Sequence, residues 1–143
     1  MPKFRFLSDI GKSGVAFEAF GKTERELLQN SALALEEAMV DTRTIRRRES
    51  VAINIRDANL SNLLFNLLEH LIFLKHAKQL LFRDVKLGFE KQGKSYVLQG
   101  FAYGERIDEA RHKLKVNIKA SSQNLFKVEK VKNGFRSQVI LEH

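Results

Sequence analysis

Residues 57–76, DANLSNLLFNLLEHLIFLKH, decide how the rest of the chain must be arranged. Leu60, Leu63, Leu64, Leu67, Leu68, Leu71, Ile72 and Leu74 recur at three- and four-residue spacing, so the helix they imply is apolar over much of its circumference. Such a helix has to be buried on more than one side, by a sheet and by a second helix. Asp57 stands where an N-cap would start it, and the pattern runs to about His76.

Working outward, SVAINIR at 50–56 alternates Val51, Ile53 and Ile55 as a strand feeding this helix. Further upstream, Thr23-Glu24-Arg25-Glu26 reads as a capping box opening another helix through about Val40, with Leu27, Leu28, Ala32, Leu35 and Met39 on its apolar stripe. KFRFL at 3–7 and a second strand ending at Phe20-Gly21 make a hairpin with a long tip. Downstream the pattern is strands only, at 80–91, 95–105, 113–121, 125–131 and 135–142. Turns fall at Gln92-Gly93 and at Asn133-Gly134, the stronger hairpin signal. The expected fold class is α+β: a single domain over residues 1–143, with two helices packed on a largely antiparallel sheet.

A chain of 143 residues can bury a core without staples. With no cysteine there is no disulfide framework, thiol nucleophile or thiolate metal site, which fits a reducing compartment; the cytoplasm is expected. No apolar run has membrane-spanning length, and MPKFRFLSDI lacks the apolar core of a secretory signal. The net charge of +8 points to polyanions or an acidic protein surface. Its cations gather in Arg43 to Arg48 (RTIRRR) and in the C-terminal third, where Lys113, Lys115, Lys119, Lys127, Lys130, Lys132 and Arg136 outnumber Glu129 and Glu142. Two readings stay open for them, a solvated basic surface and a patch for tRNA phosphates.

Gly11-Lys12-Ser13 is how a phosphate-binding loop ends, but the upstream glycine of that motif is Phe6 here. The following VAFEAF also alternates as a strand, so no helix N-terminus meets the phosphates. His70 and His76 lie six apart on different helix faces and cannot act as a ligand pair, leaving surface or core-edge roles. No nucleophile with a base and no dinucleotide fingerprint is present, so the residues give an enzyme little support.

KFRFL, VAFEAFGKTERELLQNSALALEEAMVDTRTI, DANLSNLLFNLLEHLIFL, YGERIDEARHKLKVNIKA and FRSQVILEH run in an order that resembles the archease family, with AFGKT and the closing VIL-acid its most specific parts. The resemblance implies the archease fold and a non-enzymatic role: an activator that promotes guanylylation and multiple turnover of the GTP-dependent RNA ligase of tRNA splicing. It also implies a divalent cation, usually taken as calcium, held by an aspartate ahead of the second strand, an acid near the C-terminus and the final carbonyl. Hard cations want such oxygens.

Carried onto this sequence, the metal set becomes Asp9, Glu142 and His143, and the family's functional lysine becomes Lys119 in Ile118-Lys119-Ala120. Asp9 takes its place only with a gap that treats Lys12 to Gly14 as inserted; without a gap, Gly11 and Gly14 fall on the family's histidine and aspartate. In the gapped reading the Lys12 ammonium beside Asp9 would stand in for the cation. Glu142 replaces an aspartate, and the family's later histidine is not kept at Ser122-Gln123-Asn124. Two alternatives remain: a basic tRNA-binding or chaperone module for a tRNA-modifying enzyme, and an archease-fold relative that has lost the metal site.

Overall fold

The leucine-rich segment forms the longest helix of the protein, α2, at Leu60–Lys78. In this computed structural model, residues 3–7 and 14–143 are described. The other elements in chain order are β1 Phe4–Leu7, β2 Gly14–Gly21, α1 Glu24–Met39, β3 Glu49–Asp57, β4 Leu80–Gln92, β5 Ser95–Arg106, β6 Ala120–Ser121, β7 Lys127–Val131 and β8 Gly134–Glu142. Thr23 caps α1 by accepting from the Glu26 N–H at 3.2 Å, the first half of the expected capping box. The cap of α2 is Asn59, which accepts from the Asn62 N–H at 2.8 Å, and not Asp57. Asp57 instead ends β3 and holds the Ala58 N–H and the Asn66 amide. Two neighbouring Asx residues both satisfy local donors, and only the backbone decides which one caps.

The strands form two antiparallel sheets where one was expected. The first has the order β1-β2-β8-β6, with β7 also pairing β8; the second has the order β3-β5-β4. α1 packs on β1, β2 and β8 of the first sheet and on β4 of the second, while α2 packs on β3, β4 and β5 and also on β6 and β7. Each helix therefore meets both sheets, which is why α2 had to be apolar nearly all round. Leu63, Leu64, Leu67, Leu68 and Leu71 are fully buried, each adding about 2 kcal/mol of transfer free energy at the upper bound. Among the described residues no helix is long and apolar enough to cross a membrane.

The expected strand at 113–121 shrinks to Ala120–Ser121. The residues before it run along the end of α1: the Asp41 N–H donates to the Lys113 carbonyl, and the Lys115 and Val116 N–H groups donate to the Met39 and Ala38 carbonyls. Those carbonyls are among the four that a helix C-terminus leaves without intrahelical partners. Close backbone packing also fixes the AFGKT turn: a Cβ at Gly21 would lie 2.3 Å from the Leu27 nitrogen, and one at Gly134, whose φ is +150°, would lie 2.2 Å from the Gly21 carbonyl oxygen.

Candidate functional site

The C-terminal strand β8 carries Glu142 to a point where three strands meet. On one side Glu142 pairs with Gly14 at the start of β2, and on the other with Ala120 of β6. The Lys119 N–H donates to the Glu142 carbonyl at 2.7 Å. Lys119, Glu142 and His143 are exposed, whereas Leu141 one position earlier is fully buried, so the acid and the lysine share the rim of the first sheet. Asp9 and Lys12 lie outside the described residues.

The segment carrying Lys119 is clamped from below by α2. Lys75, 6% exposed, donates to the Asn117 Oδ1 and to the Ile118 carbonyl, both at 2.7 Å. One and a half turns earlier, Glu69 accepts the Ser121 N–H at 3.0 Å, and the Ser122 N–H donates to the Ile140 carbonyl at 2.8 Å. Ile118 itself is fully buried. Lys119 is therefore the one side chain of residues 118–121 that stands fully out, between two fixed neighbours. Such anchoring removes the rotational freedom that a partner would otherwise have to freeze on docking.

The clamp is electrostatically unusual. Burial lowers the Lys75 pKa, partly countered by Glu36, and among the described residues no carboxylate pairs with its ammonium. Glu36 is itself in the core, and burial pushes its pKa up from 4.5 to about 8 against the Phe82 backbone hydrogen bond and the Lys75 charge. Its Oε1 accepts the Phe82 N–H at 2.9 Å, and its Oε2 has no partner. At neutral pH Glu36 is thus mostly protonated, and the Lys75 charge is satisfied by neutral oxygens only.

The cation set expected from the resemblance is not complete among the described residues. Calcium takes six to eight oxygens, and this rim supplies one carboxylate, on Glu142, with Gly14 as its strand partner on β2. No group of three or more His, Asp or Glu side chains that could hold a metal exists among the described residues. Asp9, the further carboxylate of the expected set, lies outside the described residues.

The basic run is largely consumed by the fold. Arg43, Arg47 and Arg48 pair with Asp41, Asp84 and Glu105, and Glu105 also takes Arg111 at 2.5 Å, His112 at 2.9 Å and the Arg46 N–H at 2.7 Å. Burial raises the pKa of Glu105, but these donors more than offset it and hold it at about 2. His112, seven residues from Glu105, is buried against it, a pairing that no local pattern in the sequence marks. His70 is half-buried against Phe73 and His76 is exposed, in line with the roles expected for them.

The Archease protein family matches residues 4–142. The chain belongs to this family. A Pyrococcus furiosus protein named archease is 32% identical over 131 residues, covering 92% of this chain and 89% of its own, and one from Thermococcus gammatolerans is 32% identical with the same coverage. The solution structure of protein 1598 from Methanobacterium thermoautotrophicum superposes with a TM-score of 0.87 at 26% identity, covering all of both chains. The crystal structure of an archease, described as a possible chaperone, from Thermotoga maritima gives 0.62 at 18% identity over 97% of this chain and 98% of that one, a likeness of fold. The α+β class with two helices and antiparallel sheets is thus that of the archease structures.

Proposed function

We propose that this protein is a non-enzymatic activator of the GTP-dependent RNA ligase of tRNA splicing, presenting Lys119 and Glu142 to the ligase while the ligase guanylylates itself. What carries the reading is the convergence of these two residues on one exposed rim, joined by the Lys119 N–H to Glu142 carbonyl bond, in a chain of the archease family. In this reading the protein acts by docking. The Lys119 ammonium meets phosphate oxygens of the nucleotide as charge builds on them, the electrostatic contribution that fixed cations make in phosphoryl transfer. Glu142 orients the rim from beside it. Asp9 and a calcium-class cation, with His143 as the further ligand position, belong to the same proposal. In this reading the protein works beside that ligase in the cytoplasm.

The test is multiple-turnover ligation of RNA ends by the purified ligase with and without this protein. Activation by the wild type that falls roughly tenfold or more in Lys75→Met, through the displaced Ile118–Lys119 backbone, supports the reading. Turnover unchanged by the wild-type protein overturns it. A tRNA-binding patch at Arg43 to Arg48 has less support, because three of its four arginines are already paired with carboxylates.

A further inference from the structure

The second sheet turns one face to the helices and leaves the other open. On the inner face Ile53, Val85, Leu87, Leu98 and Ala102 are buried. On the outer face the middle strand β5 carries Phe101, 47% exposed, with Tyr103 two residues on. Register puts Phe101 between Ala52 and Lys86, and Tyr103 between Ser50 and Asp84. The small Ala52 leaves the Phe101 ring standing clear on the β3 side. The two rings lie 6.3 Å apart at 35°, and the Arg47 guanidinium sits 5.6 Å from the Tyr103 centroid while pairing with Asp84. The next row holds the exposed amides Asn54 and Gln99, paired across β3 and β5.

We propose that this open face binds single-stranded RNA, with one base stacking on Phe101, the next lying against Tyr103 and the Arg47 guanidinium over its ring, and the phosphates following Lys86, which is exposed and forms no ion pair among the described residues. Adjacent aromatic rings on an antiparallel sheet, flanked by cations, are what base stacking without strict sequence readout requires. Arg46, whose side chain forms no ion pair among the described residues, precedes β3 at the Tyr103 end, so the RNA strand meets positive charge on leaving the rings, in a chain of net charge +8. The neutral amides beside Phe101 can both donate to and accept from a 2′-hydroxyl, which selects RNA. Burying an exposed phenylalanine against a base removes apolar surface from water at a site where the fold leaves it uncovered. The site lies on a different sheet from Glu142 and goes beyond the ligase-activator reading.

The experiment is fluorescence anisotropy of a labelled uridine-rich RNA strand of about ten nucleotides, within the usual site size of such surfaces, titrated with the full chain at low and moderate salt. Expected are saturable binding that weakens as salt rises, a loss of roughly tenfold in Phe101→Ala and again in Tyr103→Ala, and retention in Phe101→Trp. The thermal midpoint of Phe101→Ala should stay close to wild type. The same strand as DNA should bind more weakly, and an RNA duplex should compete poorly. The proposal is overturned by no binding, or by equal affinity for DNA. It is also overturned if binding survives Phe101→Ala but is lost in a Lys127→Ala, Lys130→Ala and Lys132→Ala triple variant, which would put the RNA on β7. Self-association that Phe101→Ala abolishes, without RNA binding, would make a second copy the occupant and overturn it too.

Discussion

Arg43 to Arg48 and the Lys119–Glu142 rim both set charge at the surface, and the fold treats them in opposite ways. In the first region each of Arg43, Arg47 and Arg48 finds a carboxylate, and Glu105 gathers two arginines, a histidine and a backbone N–H around one buried acid. In the second, neither the Lys119 nor the Glu142 side chain forms an ion pair among the described residues, and both are exposed. What is fixed there is the backbone, through Lys75 and Glu69. Charge spent on neighbours holds a loop in place, whereas charge held out on an anchored backbone is available to a partner. A composition of +8 cannot distinguish the two uses.

The sharpest way to break this comparison is Glu105→Ala. It strands Arg111, His112 and the Arg46 N–H around a vacated carboxylate, and should cost about 3 kcal/mol, as breaking a buried ion cluster does, or roughly ten degrees of melting temperature. A loss no larger than that of Lys119→Ala would show the two regions to be alike. Because the Glu105 pKa is lowered from 4.5 to about 2, its stabilisation is complete above pH 4.5 and is lost as pH falls toward 2, so acid melts of Glu105→Ala should flatten over that window.

Glu36→Gln should have the next largest effect, with the opposite pH sense. The Glu36 pKa is raised from 4.5 in the unfolded chain to about 8. Between those values the unfolded chain releases a proton that the folded chain keeps, so stability falls as pH rises through that window. The glutamine should melt several degrees above wild type at pH 8 and close to it at pH 5. Equal shifts at both pH values would mean that Glu36 is ionised in the core.

A smaller rise, a few degrees, is expected when calcium is added to the chelator-treated protein, by ligand linkage to the folded state. Glu142→Ala and Asp9→Ala should each remove it. No rise in the wild type would take the cation out of the proposed function and leave Lys119 to act alone.

Much of this architecture was legible because α1 and α2 are written in apolar spacing: Leu27, Leu28, Ala32, Leu35 and Met39 are all buried as expected. The β7–β8 hairpin was equally plain from Asn133-Gly134. Val116 and Ile118 misled, because alternation shows which residues share a face but not what the backbone bonds to, and theirs meets the end of α1 and the Lys75 ammonium. Glu36 and Lys75 were invisible as core residues, since a charged side chain on a helix reads as solvent-facing until both helices are known to lie against two sheets. Lys119 and Glu142 were marked by the family resemblance alone; the structure adds that they adjoin.

The most direct measurement is guanylylation of the tRNA-splicing RNA ligase in the presence of Lys119→Ala, with the melting temperature of the variant recorded alongside. Lys119 is exposed and its backbone bond survives the substitution, so the variant should melt with the wild type, within about 0.5 kcal/mol, while its stimulation of the ligase is lost. Stimulation equal to wild type at unchanged stability would contradict the role assigned to this rim.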